Sequence, residues 1–324
     1  MAWVSPLVHR EGVPDTRRTD AVLLLVAAVW GSSYLAARTA TSALPVTVVL
    51  FARYAISAAA CVAVAAAGRR GRRRCTRAEL RAGSLLGVTQ AVVLALETYG
   101  VAHTSAADAG LIISLAIVLT PLIDRLGGPG GLPPRFFAAA GVCVLAVGLL
   151  VCGSGFRSPR SGDLLVLAAA VVRAAHVSLV GRLSAGRELR PTQLTAVQTV
   201  VGSVLFLVPA AHGLPALVRA DGATWAELLH LALLCSVFAF LAQTWAVQRS
   251  SASRASLLLG TEPVWAVVVG IGLGGERLTV VAVLGALLMV AGTYWGQAVE
   301  AAHRTALRTE PAQVGPPVLP LGTG

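Results

Sequence analysis

Residues 257–278 read LLLGTEPVWAVVVGIGLGGERL, an apolar run that is long enough to cross a membrane and contains Glu262 and Pro263. A helix needs about 20 apolar residues to span the hydrocarbon core of a bilayer. A carboxylate that faces lipid at that depth costs about 3 kcal/mol, and a proline leaves one backbone carbonyl without its helical partner. Both are tolerated where a neighbouring helix or a polar cavity satisfies them. The stretch therefore predicts a membrane helix that lines a polar interior.

Comparable apolar windows recur along almost the whole chain of 324 residues, in which 56% of residues are hydrophobic and only 13% are charged. A soluble domain of this size carries more charge on its surface. Strands of a membrane barrel would show short segments of alternating polarity, and this pattern is absent. The expected fold is an all-α membrane protein with ten transmembrane helices, at about 20–38, 45–67, 82–102, 106–126, 135–153, 163–181, 191–211, 226–247, 254–275 and 278–298.

The positive charge is distributed unevenly between the two sides of the membrane. The formal net charge is +11, and the 26 residues counted as lysine or arginine are all arginine. With ten helices and a cytoplasmic N-terminus, nineteen arginines lie on the cytoplasmic side and five on the other side. This bias predicts a plasma-membrane protein with both termini in the cytoplasm. We interpret the basic loop at 69–81 as a topology signal that contacts anionic lipid, not as a nucleic-acid site.

The chain repeats itself at a period of roughly 143 to 147 residues. The stretch ETYGVAHTSAADAGLIISL (97–115) matches QTWAVQRSSASRASLLLGT (243–261). Each copy holds five spans, so the second copy enters the membrane from the opposite side. Such inverted repeats are typical of secondary transporters that work by alternating access. The predicted units are a cytoplasmic tail, a first five-helix repeat, a second five-helix repeat and a disordered, proline-rich cytoplasmic tail, at 1–19, 20–153, 163–298 and 299–324.

Five stretches together resemble one family of transporters. They are VWGSSYLAAR (29–38), LFARYAISA (50–58), HTSAADAGLIISLAIVLTPL (103–122), SGDLLVLAAAVVRAAHVSLVGRL (161–183) and SSASRASLLLGTEPVWAVVVGIGLGGERL (250–278). The sequence resembles the drug/metabolite transporter superfamily, in its EamA-type branch of paired five-helix repeats. The resemblance covers about 20–298 and implies transport of small metabolites without nucleotide hydrolysis. The chain departs from the family in three places: Ile117 stands where a proline is common, the acid that matches Glu276 is lost within GGPGGLPPR (127–135), and Arg173 and His176 replace residues that are usually uncharged.

Ionisable residues inside the predicted spans define the candidate site. Arg53 and Glu97 fall at about the same depth and predict an ion pair that faces the centre, either as a gate or as a structural pair. Arg173 and His176 are three residues apart and share one face of the sixth predicted span, opposite Trp30 in the repeat. This cationic face suits a substrate that has a carboxylate or phosphate. In the alternative, Arg173 pairs with an acid and leaves no net charge for a ligand.

Glu262 and Pro263 allow two interpretations. In one, Pro263 kinks the helix while Glu262 caps a neighbouring helix or pairs with an arginine; in the other, Glu262 belongs to a proton or substrate relay. The five cysteines form no Cys-x-x-Cys motif, so we expect neither a metal site nor a disulfide framework, and no cofactor. The predicted substrate-binding residues are Trp30, Tyr34, Arg53, Glu97, Arg173, His176, Gln198, Gln243 and Trp265, with Glu262 and Pro263 for proton coupling or the helix kink.

These patterns favour a secondary transporter, with or without proton coupling, that exports small metabolites or amino-acid-like compounds through a site at the membrane midplane. Its expected partners are a small-molecule substrate and the lipid bilayer, with no nucleic acid, and the chain acts as a monomer or homodimer. A membrane-embedded enzyme is the alternative, but the sequence has no His-Glu-x-x-His, Gly-x-Ser-x-Gly or Walker-type motif, and we predict no catalytic residues. A non-transporting membrane scaffold is also disfavoured, because it gains nothing from buried charges.

Overall fold

The computed structural model describes residues 16–67, 75–103, 109, 112–125, 132–152, 161–274 and 280–309. Over these ranges the chain is helical, with short turns between helices and no strand. The helices that position the site are α1 (Thr16–Ala43), α2 (Val46–Ala67), α3 (Arg77–His103), α4 (Ala116–Arg125), α5 (Pro134–Cys152), α6 (Ser161–Ser184), α7 (Pro191–Ala210), α8 (Gly222–Val247), α9 (Ala252–Leu259), α10 (Glu262–Gly274) and α11 (Val280–Thr309).

Within the described ranges, six helices are long and apolar enough to cross a membrane, and they begin in α1, α2, α3, α6, α7 and α8. Large apolar side chains on several helices point away from the protein: Val208 is 77% exposed, Leu164 68% and Leu145 67%. Exposed apolar surface on this scale is unfavourable in water and normal where helices face lipid. The outer surface therefore fits the hydrophobic interior of a bilayer.

Helices from the two halves of the sequence interleave. Helix α2 packs along α7, α5 packs along α11, and α3 lies between α6 and α7. Helix α1 contacts α8, α9 and α10, so it is enclosed largely by the second half. The largest hydrophobic cluster joins α1, α2, α3, α6 and α8. These helix contacts thus join residues that are distant in sequence.

Glycines set two of the closest helix contacts. A Cβ atom at Gly83 would lie 2.7 Å from the Val197 Cβ, and one at Gly87 would lie 2.9 Å from the Val201 Cβ. Small residues at this spacing let two helix backbones approach closely in a membrane. The Gly-x-x-x-Gly motif in α3 therefore forms the contact with α7.

The predicted ninth span is interrupted in the middle. Helix α9 ends at Leu259, and α10 begins at Glu262 with Pro263 as its second residue. The link at 260–261 is a tight turn in which Thr261 N–H donates to Leu258 O. Proline fits the first turn of a helix, where its missing N–H has no intrahelical acceptor. The Glu-Pro pair is therefore the start of a half-helix, and not a kink inside a continuous one.

The fourth predicted span (106–126) is also interrupted, since residues 112–113 are helical and a turn at 114–115 precedes α4. Helix α4 starts only at Ala116, after a turn in which Leu115 N–H donates to Ile112 O and Ile117 N–H donates to Ser114 O. A Cβ at Gly260 would overlap the Ile117 side chain, so the two interrupted segments cross at this point. The interruption in α4 therefore lies directly against the interruption between α9 and α10.

Helix α8 contains a π-helical segment at His230–Phe238. A π-helix widens the hydrogen-bonded ring by one residue, and such segments are frequent at functional sites. The Ser236 hydroxyl donates 3.0 Å to Leu231 O, five residues earlier. The widened turn faces the predicted central residues of α1 and α2.

Two predicted boundaries were wrong. The disordered tail was expected from residue 299, but α11 continues as a helix to Thr309. Alanine, leucine and arginine in that stretch favour helix, and Glu300 is held by Ser251 and Arg254. At the other end of the chain, α1 begins at Thr16, which lies within the predicted N-terminal tail of residues 1–19. The arginines at 69–74, Glu276 and the segment 310–324 lie outside the described residues.

Candidate functional site

Arg173 is the centre of a cluster of buried charges. It projects from α6 and has a side chain that is only 13% exposed. Its NH1 atom lies 3.0 Å from Glu262 Oε2 at the start of α10 and 3.6 Å from Glu97 Oε1 on α3. One guanidinium therefore lies between two carboxylates that belong to different halves of the chain.

Helix α1 completes this cluster with two aromatic residues. The Tyr34 hydroxyl donates a 2.7 Å hydrogen bond to Glu262 Oε1. The Arg173 guanidinium carbon lies 4.6 Å from the centre of the Trp30 ring, within the range of a cation–π interaction. The Trp30 indole N–H donates 2.9 Å to the carbonyl of Cys235 in the π-helical segment. We call Trp30, Tyr34, Glu97, Arg173 and Glu262 the central cluster.

A glycine brings α1 close enough for these contacts. A Cβ atom at Gly31 would lie 2.8 Å from Glu262 O and 2.7 Å from the Trp265 Cβ. Contacts this short are essentially not seen between real side chains and their neighbours. Gly31 is therefore required for the distance between α1 and the start of α10.

The predicted pair of Arg53 with Glu97 was wrong. Arg53 is buried on α2, and its Nε donates 2.7 Å to the Ser236 hydroxyl while its NH2 donates 3.3 Å to Cys235 O. Glu97 instead lies beside Arg173. The reason is the π-helical segment of α8, which presents a hydroxyl and a carbonyl to Arg53 and cannot be recognised from residue types alone.

The alternative considered for Arg173 is the arrangement that the structure contains, because Arg173 pairs with Glu262. A free cationic face on α6 is therefore not present. His176 does not join the central cluster through a hydrogen bond, since its Nδ1 lies 2.8 Å from the Thr89 hydroxyl on α3. The prediction of an anionic substrate loses its basis, since the Arg173 guanidinium already has two acidic neighbours.

The other predicted residues lie around the cluster with different roles. Gln198 and Gln243 are buried, but the hydrogen bonds of the described residues do not include one from either to the cluster. Trp265 lies on α10 at the contact with Gly31. Pro263 forms part of a cavity beside Arg173. The structure therefore brings five of the predicted residues, Trp30, Tyr34, Glu97, Arg173 and Glu262, into one set of direct contacts.

The cavity beside the cluster is small, with a volume of about 20 Å³. This is room for about one water molecule. Its walls come from α4, α6 and the break between α9 and α10, and it is lined by Ile113, Ser114, Ala116, Ile117, Thr120, Arg173, Val177, Ser256, Leu259, Gly260, Glu262 and Pro263. Sequence analysis missed Thr120 and Ser256, because isolated hydroxyl residues in apolar spans are most often bonded to their own helix.

The charges at the centre nearly cancel. When ionised, Glu97 and Glu262 carry two negative charges, and Arg173 carries one positive charge. Arg53 acts electrostatically on Glu97 and supplies a second positive charge. A buried charge without a partner is strongly destabilising, so each of these groups depends on the others. A proton or a charged ligand that reaches these residues must therefore change the pairing between the two glutamates and the two arginines.

A second network of buried charges ties the start of α1 to α9 and α11. Arg254 donates to Asp20 through Nε at 2.9 Å and through NH2 at 2.7 Å, and its NH1 lies 3.6 Å from Glu300 Oε2. The Ser251 hydroxyl donates 2.7 Å to Glu300 Oε1. We call Asp20, Ser251, Arg254 and Glu300 the end network. Sequence analysis had placed Arg254 among the loop arginines and so missed its burial.

Other polar contacts link helix ends near the termini of α3 and α7. Glu79, in the first turn of α3, accepts a hydrogen bond from the backbone N–H of Thr76, which precedes the helix. It also accepts hydrogen bonds from Arg190 Nε and NH2, both at 2.8 Å. The Glu79 carboxylate raises the pKa of Arg190 through these hydrogen bonds. Arg190 thus stays charged and fixes the loop before α7 to the start of α3.

Metal binding has no support in the described part of the chain, where no group of three or more histidine, cysteine, aspartate or glutamate side chains could hold an ion. Cys61, Cys75, Cys143 and Cys235 are free thiols. The central cluster itself brings together groups that can bind and release protons or charged ligand groups.

Comparisons with known proteins identify the family. A model of the EamA-like transporter family matches residues 17–152 and, a second time, residues 160–295. The chain is 28% identical over 276 residues to a probable terminal-alkyne amino-acid exporter of Streptantibioticus cattleyicolor, which covers 83% of this chain and 90% of that protein. It is 26% identical over 214 residues to an uncharacterized transporter of Archaeoglobus fulgidus, over 65% of this chain and 67% of that protein.

The fold also matches a crystal structure of another protein, with a TM-score of 0.68 at 18% sequence identity. That match covers 89% of this chain and 99% of the other chain, so the two share a fold over nearly their full length. The two family matches together cover most of the sequence and confirm the resemblance seen in its motifs. The chain is a membrane protein that belongs to the EamA-like transporter family.

Proposed function

We propose that this protein exports small amino-acid-like compounds across the plasma membrane in exchange for protons. It works by alternating access: the central cluster binds the substrate midway through the membrane, and the helices around it open to one side at a time. Both termini lie in the cytoplasm. The observation that carries this proposal is the central cluster itself, in which Arg173 lies between Glu97 and Glu262 inside an apolar helical protein.

Ten spans in two inverted repeats, at 20–153 and 163–298, are part of the proposal. The family model matches twice, once in each half. In the proposed repeat, α1 corresponds to α6, α3 to α8, and α4 to α9 with α10. Helix contacts follow this symmetry: α3 packs on α6 as α8 packs on α1, and α4 packs on α6 as α9 and α10 pack on α1. The interruptions before α4 and between α9 and α10 fall at corresponding positions of the halves. Discontinuous helices in matching positions are typical of inverted-repeat transporters.

The end network supports a cytoplasmic location for both termini. Asp20 lies near the start of the chain and Glu300 near its end, yet both bind Arg254. A chain with an even number of spans places its two ends on one side, as this contact requires. The network also joins α1 of the first half to α9 and α11 of the second, so we assign it to the closed cytoplasmic end of the pathway.

The relative from Streptantibioticus cattleyicolor supports an amino-acid-like substrate, since that protein is named a probable terminal-alkyne amino-acid exporter. The charge of the central cluster supports the same class. With Arg53 included, the two acids and two arginines at the centre balance, so a ligand with no net charge can enter without leaving an excess charge in a medium of low dielectric constant. Proton exchange is assigned to Glu262, because its two oxygens contact Tyr34 and Arg173 and its protonation would release Arg173.

Purified protein in sealed vesicles provides the direct test. Vesicles are loaded with a panel that includes a terminal-alkyne amino acid, common amino acids and uncharged dyes, and an inwardly directed proton gradient is imposed. We expect efflux of at least one amino-acid-like compound, dependent on the gradient and absent from vesicles with Arg173→Ala. Chemical turnover of a compound in detergent without any compartment would instead support a membrane-embedded enzyme. Efflux that ignores the proton gradient would contradict exchange.

The repeat topology has its own test. Epitope tags at the two termini and in the loop between α6 and α7 are predicted to be accessible only after the cytoplasmic face is opened. A tag between α7 and α8, near residue 220, is predicted to be accessible from outside intact cells. Tags at the two termini on opposite faces would contradict the inverted repeat.

A further inference from the structure

One of the residues that line the cavity beside the central cluster has a buried polar atom without a partner. Thr120 is completely buried on α4, and its hydroxyl has no hydrogen-bond partner among the described residues. Thr120 lines the cavity, together with Ser256 on α9 and Glu262 on α10. A buried hydroxyl without a partner is destabilising, because it has lost its hydrogen bonds to water and gained none in the protein. A group that fills the cavity and hydrogen-bonds Thr120 would recover this energy.

The oxygen atoms around the cavity are suited to a donor that carries positive charge. The Ser256 hydroxyl already donates 2.8 Å to Ser253 O, so it is left with acceptor capacity toward the cavity. Helix α9 ends beside the cavity, and the C-terminal end of a helix carries partial negative charge. The opposite effect from the start of α10 is compensated by Glu262, which occupies its first turn. Hydroxyl and carboxylate oxygens at one point favour an N–H donor that carries positive charge.

Arg173 currently supplies such a charge. Its NH1 lies 3.0 Å from Glu262 Oε2, and the same atom lies 3.6 Å from Glu97 Oε1, an oxygen that accepts no hydrogen bond among the described residues. A small movement of the guanidinium toward Glu97 would shorten the longer contact and lengthen the shorter one. Glu262 would then face the cavity with Tyr34 as its donor and with room for another cation.

We propose that the cavity lined by Thr120, Ser256 and Glu262 is the subsite for the protonated amino group of the substrate. In the protein without substrate, Arg173 forms the ion pair with Glu262 that the substrate ammonium forms in the complex. On binding, the substrate ammonium takes Glu262, and Arg173 moves to Glu97. Protonation of Glu262 prevents this binding, so the ammonium and the proton compete for one carboxylate. The inference rests on the proposed function and adds the chemical group that the site selects.

Three related compounds test the subsite in the vesicle assay: a terminal-alkyne amino acid, its N-acetyl derivative and its methyl ester. The ester keeps the ammonium and loses the carboxylate, whereas the N-acetyl derivative loses the ammonium. We expect the ester, which brings an excess positive charge, to be transported more slowly than the amino acid, and the N-acetyl derivative to be transported at least tenfold more slowly than the ester. Thr120→Val should raise the half-saturating concentration of the amine compounds about tenfold, since a hydrogen bond to a charged group contributes about 1.5 kcal/mol or more.

Thr195→Val is the matched control. Thr195 is also completely buried with an unpartnered hydroxyl, but it lies on α7 and does not line the cavity. We expect its half-saturating concentration to stay within twofold of the wild type. Parallel assays with sodium replaced by choline distinguish a substrate ammonium from a sodium ion in the same subsite.

The outcomes separate the subsite from the transport function. Equal transport of the N-acetyl derivative and the free amine overturns the ammonium subsite and leaves the exporter intact. Loss of transport in choline buffer, with no discrimination against the N-acetyl derivative, assigns the cavity to sodium and also overturns it. If no compound of the panel moves, the exporter itself is contradicted, and the subsite with it.

Discussion

The Tyr34 hydroxyl donates a 2.7 Å hydrogen bond to Glu262 Oε1, across 228 residues of sequence and between helices of different halves. The bond connects the middle of α1 to the first residue of α10. It holds one oxygen of the carboxylate while Arg173 holds the other. Glu262 is therefore oriented by both a neutral donor and a charged donor, and only the charged donor has a second acidic neighbour.

Tyr34→Phe removes this hydrogen bond without changing the packing of the ring. A hydrogen bond to a charged group contributes about 1.5 kcal/mol or more, so we expect transport to fall about tenfold. The measurement is the initial rate of efflux from vesicles with equal amounts of inserted protein. Tyr294→Phe is the control, because Tyr294 is 76% exposed on the outer surface of α11. Equal rates in the two variants would mean that Tyr34 does not orient Glu262.

Arg173→Ala is expected to abolish transport and to lower thermal stability in detergent. Removal of one partner from a buried ion pair costs about 3 to 5 kcal/mol, because the remaining charge is left without compensation. The double variant Arg173→Ala with Glu262→Gln removes both charges and should recover most of the stability but none of the transport. If the double variant transports at the wild-type rate, the pair has only a structural role.

Glu262→Gln is expected to remove the pH dependence of transport. In the wild type, protonation of Glu262 changes its pairing with Arg173 and Tyr34, while Glu97 and Arg53 act on the same cluster. Glutamine cannot take up the proton, so residual exchange should run at the same rate at acidic and neutral pH.

Glu300→Gln is the control for this experiment. Glu300 is as deeply buried, with 2% exposure, but it belongs to the end network. Its variant should keep the pH profile of the wild type. If the pH dependence of transport is lost in Glu300→Gln and kept in Glu262→Gln, Glu262 is not the residue that exchanges the proton.

Gly31→Ala is expected to reduce transport and stability, because the added Cβ would lie 2.8 Å from Glu262 O and force α1 away from α10. Overpacking of a well-packed contact costs about 1 to 3 kcal/mol. Gly141→Ala is the matched control, since a Cβ there meets no atom within 4 Å. Melting temperature and efflux rate are measured for both. An unaffected Gly31→Ala would show that the contact between α1 and α10 can adjust.

Arg254→Leu is expected to open the cytoplasmic end of the pathway more often, because Asp20 and Glu300 lose their shared cation. In a cysteine-free background, a cysteine at Ser256 should then react faster with a membrane-impermeant thiol reagent applied from the cytoplasmic side. Arg249→Leu is the control, since the contacts of Arg249 within the described part of the chain are with the Trp245 carbonyl and the Trp245 ring. If the reaction rate does not increase in Arg254→Leu, or increases equally in both variants, the end network does not hold the cytoplasmic end of the pathway closed.

The sequence was sufficient for the features that depend on composition and local pattern. Apolar windows predicted the helices, because a membrane excludes backbone that is not hydrogen-bonded within its own segment. The twofold repeat and the stretches around Glu262 predicted the family. The position of Pro263 predicted a kink in its helix, since proline cannot donate to the helical ladder, whereas the interruption at 260–261 was seen only in the structure. Arg173 and Glu262 were recognised because ionisable side chains inside apolar spans are rare and face the interior.

The pairing of the charges was decided only by the tertiary structure. Glu97 lies on the same face of the bundle as both Arg53 and Arg173, and residue spacing gives no reason to choose between them. The choice is made by the π-helical segment of α8, which satisfies Arg53 with Ser236 and the Cys235 carbonyl and leaves Glu97 to Arg173. A partner for a long side chain is set by distances of a few ångströms between helices that are far apart in sequence, and local pattern carries no information about these distances.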